Sequence, residues 1–592
     1  MKAVKKYLPF LNWFPMDGAI LRADLIAGIT VALVLIPQSM AYAQLAGLPP
    51  YYGLYAAFLP GAIGALFGSS KQLATGPVAV VSLLTASALI PFASVGSEAY
   101  IGLAIMMTLM VGIFQLSLGL LRLGIVVSFL SHPVIVGFTN AAAMVIGLSQ
   151  LSKIFGVPMG RSENFMADIL GVVTKVGDLH LPTFAFGFAA FLIMFLLKKY
   201  TPKLPNVLIA VSLTITVSWL INFAEMGGKV VGEVPAGLPT IAMPELDFAM
   251  MSQLIFSAIV ISLVGFMEAI SIAKAMAAKT KDRVDPNQEL IGQGLANIIG
   301  SLGQSYPASG SFSRSAVNLS AGAKTGMSSL FTAAVVLITL LFLTPLLYHL
   351  PQAVLAAVIM MAVIGLVNFS AVKHAWYANK HDGIAAIVTF IATLGFAPHL
   401  DRGIMIGAGL AIFLFLFRAM RPRVAILGCY DDGTLRDLDV HPSMPTDERI
   451  IMIRFDGQLF FANIGYFEDS VLAALANQSQ AKYILIVSDG INQLDASGEE
   501  VINHLVKRMA ENGITIVFSG LKKQVLDVMR RTNLFDHIGD PNIFATKDQA
   551  LFDIYNRIGD EKHRPLLPYY LQPASNGNAA NTAYLVGKQR EL

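Results

Sequence analysis

From residue 25 to residue 418 the chain is a succession of apolar runs separated by short polar joints. The runs lie near 25–47, 52–68, 72–91, 99–121, 125–150, 182–200 and 205–224. A second set lies near 252–277, 287–304, 308–322, 326–349, 351–369, 382–397 and 400–418. Crossing a bilayer takes about 20 apolar residues, so the pattern predicts a polytopic α-helical membrane protein of 14 spans, several of them short or broken by Pro and Gly.

Near Arg421 the pattern changes. Segments 450–455, 458–461, 483–488 and 514–519 read as strands, and the stretches between and after them as amphipathic helices. This predicts a cytoplasmic α/β domain over 430–555. The expected organisation is a cytoplasmic segment over 1–20, a membrane domain over 21–420, the α/β domain, and a disordered Asn-, Ala-, Gly- and Pro-rich tail over 560–592.

Composition agrees. Apolar residues make up 55% and charged residues 13% of the chain, against roughly 25% charged in soluble domains. A net charge of +3 offers nothing to a nucleic-acid partner. The single cysteine, Cys429, excludes a disulfide framework and a cysteine-built metal site. The lysines at 2, 5 and 6 are not followed by a short apolar core and cleavage site, so no removable signal peptide is expected.

Lys and Arg collect in cytoplasmic loops. With the N-terminus inside, Arg122, Lys198, Lys199, Lys203, Lys279, Lys281 and Arg283 share one side with Lys373, Lys380, Arg418, Arg421 and Arg423. The connection between the two sets carries Glu225, Glu233, Glu245 and Asp247 against Lys229 and falls outside. Both termini are thus expected in the cytoplasm of a multi-pass protein of the inner, or plasma, membrane.

Seven is odd, so two tandem sets of seven must run in opposite directions. Such inverted repeats place a substrate near the bilayer midplane, between discontinuous helices. In the first set Thr75 reads as an N-cap, Gly76 as a point of close approach and Pro77 as the first helical turn, with Val78 beside them. The counterpart is Ala308 to Asn318, where Ser309 or Ser311 can cap and Gly310 gives the backbone room; Phe312 and Ser313 follow. Two facing helix starts pool positive dipole ends and free N–H groups, an anion site without a metal.

Arg314 falls in the first turn of the second half-helix. A charge at mid-membrane costs at least roughly 2.5–3.5 kcal/mol, which a bound anion would offset. The alternatives are snorkelling to a surface or pairing with Glu268. Gln38 and Tyr42 stand four residues apart on one helical face after Pro37 and can donate hydrogen bonds, though ordinary interhelical bonding would also use them. Glu268 takes the corresponding place in the second set. Apolar surroundings favour a carboxyl's neutral form, making Glu268 a candidate proton carrier, a partner for Arg314, or a cation site.

These residues resemble the SulP family of anion transporters, the sulfate permeases with a C-terminal STAS domain. The signature region is "PYYGLYAAFLPGAIGALFGSSK" at Pro50 to Lys71, with Gly64 where the pattern prefers Tyr or Ile. "VALVLIPQSMAYAQLAGLPP" and "PNQELIGQGLANIIGSLGQSYPASGSFSRSAVN" are also similar, and the likeness spans roughly residues 10–555. It implies a seven-plus-seven inverted repeat with core and gate domains, an elevator-like movement, homodimers, and an anion between the third and tenth helices. By motif, Gln38, Tyr42, Ser313 and Arg314 match substrate-contacting positions. Glu268 falls where proton-coupled, plant-type sulfate members carry a glutamate.

The STAS resemblance makes Ser497, in "DASG", a candidate phosphosite, although simple capping of its helix is the plainer role. It also implies a cytoplasmic protein partner. The expected function is proton-coupled import of sulfate or a similar inorganic anion, with no cofactor. Rival expectations are sodium-coupled bicarbonate, dicarboxylate or chloride transport, or a STAS-coupled membrane signalling protein. An enzyme is disfavoured, because the apolar part offers no nucleophile–base pair or metal cluster.

Overall fold

The computed structural model describes residues 8–124, 131–160, 164–201, 204–235, 237–430, 434–559, 564 and 566. Residues 2, 5, 6 and 203, singled out above for their charge, lie outside the described residues, as does all of the 560–592 tail except Arg564 and Leu566. Contacts divide the chain into two compact units, Met1–Ile412 and Phe413–Leu592.

In the first unit the first set of seven comprises α1 (Gly18–Leu45), α2 (Tyr51–Phe67), the strand β1 (Ala74–Gly76) with α3 (Ala79–Leu89), α4 (Glu98–Leu120), α5 (His132–Ser149) extended by α6 (Leu151–Phe155), then, after the short outlying α7 (Phe165–Thr174), α8 (Leu181–Tyr200) and α9 (Asn206–Leu220). The second set comprises α10 (Phe248–Thr280), α11 (Pro286–Leu302), β2 (Ser309–Ser311) with α12 (Phe312–Ser320), α13 (Met327–Ile338) continued through a π turn into α14 (Thr344–Leu347), α15 (Gln352–Ile364) followed by α16 (Phe369–Ala378), α17 (Lys380–Gly395) and α18 (Leu400–Met420). Among the described residues 8 helices are long and apolar enough to span a bilayer. The remaining spans, α2, α3, α9, α11, α12 and α17, are shorter.

The third member of each set is the broken one. A three-residue strand precedes a half-helix of 11 residues in the first set and 9 in the second. Helices one to four of both sets pack on one another: α11 lies against α2 and α4, and α13 against α1 and α2. The later helices form a second group, with α17 on α5 and α15 on α8 and α5. These groups are the core and gate domains of a seven-plus-seven inverted repeat.

One joint differs from the expected pattern. The run 351–369 does not end in a simple loop, because Asn140 of α5 holds the chain at Asn368: it accepts from the Asn368 N–H at 2.6 Å and donates to its carbonyl at 3.3 Å. Asn368 in turn caps α16, accepting from the Ala371 N–H at 3.0 Å. The second unit contains β3 (Val424–Cys429), β4 (Leu435–Asp437), β5 (Ile450–Phe455), α19 (Ile464–Asn477), β6 (Tyr483–Val487), α20 (Ala496–Glu511), β7 (Thr515–Ser519), α21 (Lys523–Arg531), α22 (Leu534–Ile538), β8 (Ile543–Phe544) and α23 (Lys547–Ile558).

The strands form one sheet in the order β4-β3-β5-β6-β7-β8, parallel from β5 to β8 and antiparallel at β3. Ile451, Ile453 and Phe455 face one apolar core and Ile450 and Met452 the other, which is why β5 reads as an unbroken apolar run. One strand expectation needs correction. Residues 458–461 form no strand; Leu459 makes only an isolated bridge to Leu494, because Gly457 and the Asn463 turn divert the chain. The sheet begins at Val424, ahead of residue 430.

Candidate functional site

The strand β1 pairs antiparallel with β2, Ala74 opposite Ser311, Thr75 opposite Gly310 and Gly76 opposite Ser309. β2 runs directly into α12 and β1 reaches α3 through Pro77 and Val78, so the starts of α3 and α12 flank one short ribbon. Neither start has a side-chain cap, which leaves first-turn N–H groups to other acceptors.

The expected capping residues are engaged elsewhere. Thr75 lies in β1, and its Oγ1 accepts from Gln293 Nε2 at 2.8 Å. Ser309 Oγ donates to the Gly265 carbonyl at 2.6 Å. Ser311 occupies the cap position of α12, but its Oγ stands only near Ser313 Oγ, at 3.5 Å. Val78 occupies the cap position of α3, so Pro77 falls outside the helix.

The two glycines also differ in role. At Gly310 a Cβ would come within 2.7 Å of Leu73 Cδ1 and 3.0 Å of the Ala269 Cα, so this glycine seats the ribbon on α10 and does not open space for a ligand. At Gly76, with φ +156°, a Cβ would stand 3.4 Å from Arg314 Nη2, so the guanidinium reaches across to the opposite half of the repeat.

Arg314 is fully buried, and its Nε, Nη1 and Nη2 all lack a hydrogen-bond partner among the described residues. It neither snorkels nor makes an ion pair with Glu268 among the described residues. Glu268 on α10 is half-buried, and its enclosed Oε2 is likewise unpartnered. Tyr42, Tyr306 and Glu268 lie within electrostatic reach of Arg314. Gln38, one turn before Tyr42 on α1, is buried with a free Oε1. Phe312 and Ser313 are exposed, Phe312 at 57%.

A polar frame that the sequence reading missed holds the ribbon. Asn297 of α11 donates to the Ala308 carbonyl at 3.1 Å and to Gln115 Oε1 at 3.0 Å, and accepts from the Ala308 N–H at 2.9 Å. Ser315 Oγ accepts from the Ala74 N–H at 2.9 Å, and Asn318 Nδ2 donates to the Gln72 carbonyl at 3.1 Å. Tyr306, fully buried, shares a hydrogen bond of 3.2 Å with Ser82 of α3. Gln293 and Asn297 were visible as polar residues four apart in an apolar helix, the spacing that puts both on one face.

Comparison with known protein families matches residues 21–389 to the sulfate permease family and residues 441–550 to the STAS domain. The chain belongs to the sulfate permease family. Membership makes it a membrane transporter. Among its relatives is sulfate transporter 4.1, chloroplastic, of Arabidopsis thaliana, 36% identical over 90% of this chain and 79% of the relative. A probable sulfate transporter of Mycobacterium tuberculosis is 32% identical over 90% of this chain and 95% of its own length. The murine Solute Carrier 26 family member A9 anion transporter, in an inward-facing state, shares the fold with a TM-score of 0.87 and 23% identity over 94% of this chain and 95% of that one. The transmembrane domain of the cyanobacterial bicarbonate transporter BicA aligns over 67% of this chain and 98% of its own, with a TM-score of 0.56 and 22% identity.

In this member of the sulfate permease family Ser497 sits in a different unit from the ribbon. Asp495 caps α20, its Oδ1 accepting from the Gly498 N–H at 2.8 Å while Oδ2 accepts from the Phe461 N–H at 2.8 Å. The capping role considered for Ser497 therefore belongs to Asp495.

Proposed function

We propose that this chain imports sulfate together with protons by alternating access. The observation that carries the reading is Arg314: a fully buried guanidinium with three unpartnered nitrogens, aimed at Gly76 between two uncapped half-helix starts. An unpaired charge at this depth is costly, and a dianion would accept from the guanidinium and the first-turn N–H groups together. The names of relatives such as sulfate transporter 4.1 support sulfate as that anion.

Gln38, Tyr42, Thr75, Gly76, Val78, Ser309, Gly310, Ser311, Phe312, Ser313 and Arg314 make up the proposed substrate region. Within it Thr75, Ser309 and Gly310 shape the ribbon, and Gln38, Tyr42, Arg314 and the backbone meet the anion. Glu268 couples the proton. A protonated Glu268 leaves the Arg314 charge to the sulfate; once the anion departs and Glu268 loses its proton, the carboxylate takes over as counter-charge. Proton and sulfate then favour one another's binding reciprocally.

The separate packing of core and gate helices supports an elevator-like displacement of the ribbon-bearing core. The proposal includes homodimers, cytoplasmic termini, a plasma-membrane location, a cytoplasmic STAS partner and phosphorylation at Ser497. Purified chain in liposomes tests the reading: labelled sulfate should accumulate faster with an inward proton gradient. Sodium-driven uptake selective for bicarbonate, or no flux of any anion in a panel, would replace it.

A further inference from the structure

The ribbon accounts for one end of α3. At the other end of this half-helix, about 16 Å away at 1.5 Å per residue, lies a separate cavity of about 520 Å³. Its wall includes Gln44 at the end of α1, Ser87 of α3, Gln150, Ser152 and Lys153 around α6, and Thr183 of α8. Gln44 lies only two residues beyond Tyr42, so α1 runs from the proposed anion site to this cavity.

The cavity's charges are few. Lys153 projects from α6, and its Nζ makes a single hydrogen bond, a long one of 3.4 Å to Gln44 Oε1. It has no ion pair among the described residues. Lys229 also lines the wall and is exposed. Among the described residues Asp168 is the one carboxylate of the lining, and it has a partner of its own. His180 is committed at both ring nitrogens, to Thr183 Oγ1 at 2.6 Å and to the Met226 carbonyl at 3.1 Å. Among the described residues the cavity thus presents two lysines, Lys153 nearly free of partners, against one carboxylate that is already engaged, with neutral amides and hydroxyls around them. Gln150 Oε1, buried and without a partner among the described residues, is an acceptor, so it suits a water of the cavity and not the anion itself.

We propose that this cavity is a second anion site, in which Lys153 collects a hydrated inorganic oxyanion before or after it occupies the Arg314 site. The site is too large to enclose a bare sulfate, so its occupant keeps much of its water shell and binds weakly. Lysine is suited to this, being a compact, strongly hydrated point charge rather than a fork that strips its ligand. An excess of one sign of charge on the walls of a low-dielectric cleft focuses field and raises the local concentration of counter-ions, and here two lysines stand against one engaged carboxylate. The placement of the cavity on the substrate path rests on the transport reading; its anion preference does not.

A lysine in the last turn of a helix is also favoured by the helix dipole, and the test separates that role from a binding one. Ser152→Cys is placed in a full-length Cys429→Ala chain, so that one thiol faces the cavity. Its rates of modification by an anionic and a cationic methanethiosulfonate reagent are compared, each normalised to a free thiol. The anionic reagent should be favoured by roughly tenfold. Lys153→Gln should remove the preference and Lys153→Arg should keep it. Added sulfate should slow the anionic reagent, and still do so with Arg314→Ala, which disables the ribbon.

Equal rates for the two reagents, a preference indifferent to Lys153→Gln, or sulfate protection that vanishes with Arg314→Ala would each overturn the second site. Sulfate protection is read with Lys153 intact, so it decides the matter even if Lys153→Gln fails to fold. Selective modification in a chain that moves no sulfate would sink the transport reading and leave this site standing.

Discussion

Arg314 and Gly76 face one another across the inverted repeat, the guanidinium Nη2 standing 3.4 Å from where a Cβ on Gly76 would lie. A methyl there would touch the guanidinium and strain a backbone at φ +156°. Gly76→Ala should therefore lower sulfate affinity severalfold while the purified chain stays folded. Sulfate-dependent thermal stabilisation checks this. Gly310→Ala differs: its methyl would meet the Ala269 backbone at 3.0 Å, so the expected loss is in folding yield and Tm.

Glu268→Gln should abolish sulfate accumulation driven by a proton gradient and leave sulfate–sulfate exchange in place. The amide cannot release a proton or supply the counter-charge that Arg314 needs after the anion leaves. Paired uptake and exchange assays in liposomes read the two activities separately; unchanged proton dependence would remove Glu268 from the coupling role.

Asn297→Ala should destabilise the chain through the ribbon's support. It strands the buried N–H and carbonyl of Ala308 and the Gln115 side chain, and each unsatisfied buried group costs about 1–3 kcal/mol. A lowered Tm is expected, with weaker sulfate binding in the fraction that folds. An unaltered Tm would show that the ribbon holds its shape without this frame.

In the STAS unit Asp447 accepts from the Arg449 side chain at 2.8 and 2.7 Å, from the Arg449 N–H at 3.0 Å and from the Tyr555 hydroxyl at 3.1 Å. Burial opposes its charge, but these donors prevail and hold its carboxyl below the ordinary value. The native state thus binds this proton less readily than the unfolded chain. Its stabilisation is complete above the unfolded pKa of about 3.9 and disappears as pH falls through the lower folded value. Asp447→Asn should weaken hydrogen-exchange protection of β6 in the full chain at pH 7. The difference from the parent chain should shrink towards pH 3.

The half-helices were legible because Ser, Gly and Pro interrupt two apolar runs at corresponding places, and Arg314 stood out because charge is rare there. What those hydroxyls do was not legible. Thr75 and Ser309 read as caps by local spacing, yet Gln293 and the Gly265 carbonyl, hundreds and tens of residues away, claim them. Ser497 and Asp495 both suit a helix start, and only the fold shows that Asp495 takes it. The false strand at 458–461 had a strand's composition, but Gly457 and Asn463 set a turn there. The pairing of Arg314 with Glu268 was open in the sequence because separation within a helix bundle is not written in either helix alone.

Equilibrium binding of labelled sulfate to the purified full-length chain and to its Arg314→Ala variant tests the central claim most directly. Charge-assisted hydrogen bonds contribute about 1.5–3 kcal/mol each, so losing the guanidinium should weaken sulfate binding by roughly 10- to 100-fold while the Tm holds or rises. Sulfate affinity equal to that of the parent chain would contradict the claim and return Arg314 to a structural role.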